Sequence, residues 1–98
     1  IKGDLPGRVT KNTALANFMF LMITASDDTT PLTGASVTAT RSIDGAAFGS
    51  CANSVTEVSS GWYKINLAAA DLNGDVIALR FVASSANATN MMIMTQST

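Results

Sequence analysis

Ninety-eight residues suit one small domain and leave no room for a second. Only 13% of them are charged, against about 25% in an ordinary soluble domain. The net charge is −1, and the six basic residues, Lys2, Arg8, Lys11, Arg41, Lys64 and Arg80, are scattered. This gives no footing for nucleic-acid binding through phosphates.

The longest unbroken apolar run, residues 18–23, is far short of the roughly 20 residues a membrane-spanning helix needs. No signal-peptide pattern is visible, and export is left open. Cys51 stands alone, which rules out an internal disulfide and a cysteine-rich metal site and points to a buried thiol, with an intermolecular bridge or a reactive thiol as the alternative. Low charge combined with a 47% hydrophobic composition implies that other copies or a partner cover some apolar surface.

Residues 1–12 hold Gly3, Pro6 and Gly7 with three of the six basic residues, and read as an arm or linker. Residues 15–25 place Phe18, Phe20 and Met22 on one alternating face and Met19, Leu21 and Ile23 on the other. That is the pattern of a strand covered on both sides; a buried helix is the competitor, but the run is short and ends in a polar segment. After the polar stretch 26–31 and a turn at Gly34, residues 35–40 alternate, with Ala35, Val37 and Ala39 inward. Asp44-Gly45 predicts a tight hairpin, because both residues tolerate positive φ, and residues 46–52 should return as a strand centred on Phe48.

A short strand follows at residues 53–58, then a Ser59-Ser60-Gly61 turn. Residues 62–67 put Tyr63, Ile65 and Leu67 on one face and Trp62, Lys64 and Asn66 on the other. Residues 68–72 are rich in alanine but too few for a stable helix, and read as a crossover. Residues 76–83 form a strand with Ile77, Leu79 and Phe81 inward, and residues 90–96 a last strand led by four consecutive apolar side chains. The expected fold is all-β: about seven strands in an immunoglobulin-like β-sandwich, residues 13–98, behind the N-terminal arm. An open barrel or a prealbumin-like sandwich fits the same pattern.

Catalytic patterns are missing. Without histidine there is no Ser-His-Asp or Cys-His arrangement, and no glycine-rich phosphate loop follows a strand. All seven carboxylates except Glu57 fall in the arm, in turns or in the crossover, where solvated side chains are expected. Asp71-Leu72-Asn73-Gly74-Asp75 resembles the start of a calcium loop, but the carboxylate required 11 residues after the first ligand is Val82. No catalytic, cofactor or metal residue is therefore assigned, and no enzyme activity is expected.

Of the adjacent Trp62 and Tyr63, one must face the core and the other is free to cover an edge or meet a ligand. Asn87-Ala88-Thr89 matches a glycosylation sequon, a common chance match. The five methionines, Met19, Met22, Met91, Met92 and Met94, fall in the first and last of these strands. They are either core filler or a face buried on a neighbouring subunit, with the two strands lying together.

Three segments carry a resemblance: TxxRSxDGxAF at residues 38–48, EVxxGWYKI at 57–65 and LRF at 79–81. Over residues 14–95 the chain resembles short immunoglobulin-like proteins and modules of tailed bacteriophages. The segment after LRF, residues 84–90, departs from the acidic turn common in that family.

The resemblance implies a virion structural protein, made in the host cytoplasm and built into the particle. It would be a capsid decoration, a head fibre or a tail component. Its partners would be major capsid or tail proteins and further copies of itself, with no cofactor, nucleic acid or membrane. The alternative is an adhesive module binding host-surface glycan or protein through Trp62 and the loop at residues 27–30.

Overall fold

The computed structural model describes residues 9–96; residues 1–8, most of the expected arm, and 97–98 lie outside the described residues. The described chain is mostly β-strand with no α-helix. Its strands are β1 (Val9–Thr10), β2 (Leu15–Leu21), β3 (Thr38–Ile43), β4 (Gly49–Ser50), β5 (Thr56–Ser59), β6 (Trp62–Leu67), β7 (Val76–Val82) and β8 (Thr89–Gln96). They form a five-stranded sheet in the order β1-β8-β7-β3-β4 and a three-stranded sheet in the order β2-β6-β5. Every pairing is antiparallel except β1 with β8, where Val9 faces Thr95 and Thr10 faces Gln96.

The two sheets share one core. Phe20, Met22, Tyr63, Ile65 and Leu67 come from the small sheet and its continuation; Ile77, Leu79, Phe81 and Ile93 come from the large one. The ring of Phe20 lies almost parallel to that of Phe81, centroids 3.7 Å apart, and joins the sheets at mid-core. Tyr63 adds a polar handle: its hydroxyl donates to the Leu32 carbonyl at 2.7 Å and accepts from the Ala35 N–H at 3.1 Å. A buried tyrosine thus ties down the segment before β3, as a desolvated hydroxyl requires.

The expected hairpin at Asp44-Gly45 and the expected turn at Ser60-Gly61, which joins β5 to β6 as a second hairpin, each use two left-handed residues. Asp44 and Gly45 have φ of 51° and 85°, and Ser60 and Gly61 have 54° and 86°, the pattern of a type I′ turn matched to strand twist. The first hairpin soon leaves its ladder. The Ser42 hydroxyl donates to the Ala46 carbonyl at 2.5 Å, so the return strand is only Gly49–Ser50, and Phe48 is exposed rather than its centre.

The inward assignment of Ala35, Val37 and Ala39 holds, since all three join the core. The strand itself starts later and runs through Ile43, because residues 38–43 are the ones that pair with β7. Residues 68–72 become a crossover containing a 3-10 helix, Ala69–Leu72, with Leu72 buried.

Three further differences bear on function. Strand β2 carries a one-residue register shift between Leu15 and Phe18, where Asn17 has φ of 59° and its N–H bonds the Asn66 side chain at 2.9 Å. This bulge lets Leu15 pack with Phe18 against the same core. The other face of β2 is not covered as expected: Met19 is exposed and Leu21 and Ile23 are half-buried. Finally, β2 and β8 lie in different sheets, so the two methionine-bearing strands do not form one surface.

Candidate functional site

The six carboxylates among the described residues all serve the architecture. Asp44 accepts the backbone N–H groups of Asp75 and Val76, both at 2.9 Å, and so sets the entry to β7. Glu57 holds the Gly34 N–H at 3.0 Å, Asp28 the Asn87 side chain at 2.7 Å, and Asp75 pairs with the exposed Lys11 at 3.1 Å. Asp27 organises the turn at residues 26–30, accepting from the Thr30 hydroxyl and from the backbone N–H groups of Thr29 and Thr30. The Thr30 hydroxyl bond, followed by those backbone bonds, lowers its pKa from 3.8 to about 2.

Asp71 corrects the expectation of a solvated crossover carboxylate, because it is only 2% exposed. The Arg41 Nε donates to it at 2.8 Å and the Ala52 N–H at 3.1 Å. An arginine inside strand β3 is accommodated because the 3-10 helix of the crossover supplies this partner. The sequence signal was slight: one basic residue in a strand and one acid in an alanine-rich crossover.

The calcium-like segment is thereby accounted for, since Asp71 turns to Arg41 and Asp75 to Lys11. Asp28 and Asp75 lie at opposite ends of β7, with Asp28 bonded to Asn87 in the loop after that strand. No group of three potential metal-binding side chains occurs among the described residues.

Cys51 borders an open depression of about 390 Å³ with Val37, Ala39, Ser50, Asn53 and Val55. Burial first, then the nearby Asp71 carboxylate, push its thiol up to about 11, although Arg41 pulls the other way. At neutral pH it is a thiol, a poor nucleophile.

The exposed surface is where the chain departs from an ordinary small domain. Trp62 is the outward member of the Trp62-Tyr63 pair: it is 44% exposed, opposite Leu21 on the outer face of the small sheet, while Tyr63 is core. Pro31 sits against Gly61, so the turn at residues 26–30 and Trp62 lie at the same end of the molecule.

On the large sheet, Met92 and Met94 are 67% and 70% exposed along β8, which Val9 and Thr10 of β1 flank on its outer side among the described residues. No described helix is long and apolar enough to cross a membrane. Compared with family models, curated proteins and solved structures, the chain matches none.

Proposed function

We propose that this chain is a non-enzymatic structural component of a tailed-phage virion, acting through protein-protein assembly, with an immunoglobulin-like sandwich as its fold. The strand order supports the fold. Lettered from β1 as A′, the sheets become A′-G-F-C-C′ and B-E-D, the arrangement of immunoglobulin-type domains. The resembling segments support it as well: TxxRSxDGxAF runs through β3 and its hairpin, EVxxGWYKI through the β5–β6 hairpin, and LRF along the core of β7.

The observation that carries the functional reading is the exposed methionine row on β8, in a domain whose described carboxylates are all engaged in architecture. Large apolar side chains exposed along one face of a strand suit a surface buried in an assembly. The site of action is then the capsid or tail, with capsid or tail proteins and further copies of the chain as partners. Co-sedimentation of the purified domain with phage heads and tails tests this. Binding to either supports it, and absence from both removes its basis.

A second reading, host-surface adhesion, is favoured by one observation: Trp62 is exposed at the same end as the Asp27 turn. Replacing Trp62 with alanine should abolish host-cell binding and leave particle binding intact if that reading holds.

A further inference from the structure

In the large sheet β4 runs beside β3 for two residues only, with Ser50 opposite Thr40 and Gly49 opposite Arg41. The Cys51 N–H still reaches the Ala39 carbonyl at 3.1 Å, and the ladder stops there. Two bonds draw the chain away from it. The Ala52 N–H donates to the Asp71 carboxylate at 3.1 Å and the Asn53 side-chain amide to the Asn66 carbonyl at 2.6 Å, so the chain crosses to the small sheet and enters β5 at Thr56.

The place that β4 vacates beside residues 35–38 is the open depression of about 390 Å³, walled on its far side by residues 53–55. The near wall has the period of a strand, since Ala35, Val37 and Ala39 all pack their side chains on the core. The Ala39 carbonyl faces Cys51, so alternation aims the N–H and C=O of Val37 into the depression. Neither Ser36 nor Val37 makes a hydrogen bond with any described residue, although Val37 is half-buried. Backbone groups in such a place call for a partner.

We infer that an extended segment of another protein adds here as a strand, in line with β4 and bonded to the backbone of Val37. The inference deepens the assembly reading above and rests on it: the segment belongs to a neighbouring protein of the particle. From Ala35 to Ala39 the wall spans at most about 13 Å at ~3.3 Å per residue, the length of a three- or four-residue segment. That segment is uncharged. No residue lining the depression carries a charge, so a charged side chain entering it would lose water and gain no counter-ion.

The test pans the full chain against a yeast-displayed library of random seven-residue peptides and reads the Val37 amide by hydrogen exchange with and without a selected peptide. The expected peptides are uncharged and slow the exchange of Val37. Val37→Pro removes an N–H that no described residue uses, and should weaken their binding about tenfold or more. Ser54→Lys sets a charge in the depression without breaking a hydrogen bond between described residues, and should do the same; it keeps the test decisive where the proline variant does not fold. Trp62→Ala, on the outer face of the small sheet, should leave peptide binding unchanged.

A library that yields no peptide, peptides indifferent to Ser54→Lys, or a Val37 amide already slow to exchange in the chain alone would each overturn the strand addition; the last would mean that the chain fills its own groove. Co-sedimentation with particles that survives Ser54→Lys overturns only the strand addition. Peptides of the expected kind, selected by a chain that binds no particle, overturn only the virion reading.

Discussion

Arg41 and Asp71 meet at 2.8 Å, β3 contributing the guanidinium and the crossover from β6 to β7 the carboxylate. Asp71 is almost fully buried, so removing its charge leaves Arg41 without a counter-ion and Ala52 with a weaker acceptor. Asp71→Ala should lose about 3 kcal/mol of stability. That corresponds to a fall of about 15 °C in Tm by calorimetry. Gly49 belongs to the same unit, because a Cβ there would approach Arg41 Nη1 to 2.5 Å. Gly49→Ala should therefore cost less in an Arg41→Ala background than in the wild type, a coupling that a double-mutant cycle reads directly.

The two hairpin glycines should respond differently to the same change. Gly45 and Gly61 both have positive φ, but a Cβ at Gly45 meets open space while one at Gly61 runs into Pro31. Gly45→Ala should cost about 1 kcal/mol, the strain of the left-handed backbone alone. Gly61→Ala should cost clearly more, and chemical denaturation of the two variants compares them.

Asp27 gives a pH signature. Its folded pKa, about 2, lies below the ordinary 3.8, so its stabilising effect is present above 3.8 and is lost as pH falls through about 2. The stability difference between wild type and Asp27→Asn should shrink over that window. Thr30→Val removes the leading cause of the shift, and the Asp27 carboxyl resonance should then titrate closer to 3.8.

Cys51 should resist alkylation. With the thiol held up to about 11, roughly one molecule in a thousand carries the thiolate at pH 8. Iodoacetamide labelling should therefore be far slower than for a free thiol. Asp71→Asn removes a charge that raises this pKa, so it should speed the labelling.

The sequence made the alternating parts of the fold legible. Tyr63, Ile65 and Leu67 in β6, and Ile77, Leu79 and Phe81 in β7, are all core residues, because period-two burial leaves a direct imprint on composition. Both tight turns were also visible, through Asp44-Gly45 and Ser60-Gly61. What escaped detection depended on contacts distant in sequence. The bulge at Asn17 relies on Asn66, the short β4 on a Ser42 hydroxyl bond, and the Arg41–Asp71 pair on residues 30 positions apart.

Surface chemistry was only half legible. Trp62 was recognisable as one member of an in-out pair, and the structure turns it outward. The methionines of β2 and β8 looked like one surface because both runs are apolar, but strand pairing is a property of the whole sheet, and the two strands lie in different ones.

The central claim is that this domain works as a built-in part of a phage particle. Its most direct test is immunogold electron microscopy of phage particles purified from cells that produce the chain, using antibodies raised against residues 9–96. The account predicts gold at a fixed place on head or tail, repeated from particle to particle. Unlabelled particles in a lysate that contains the free protein would contradict it.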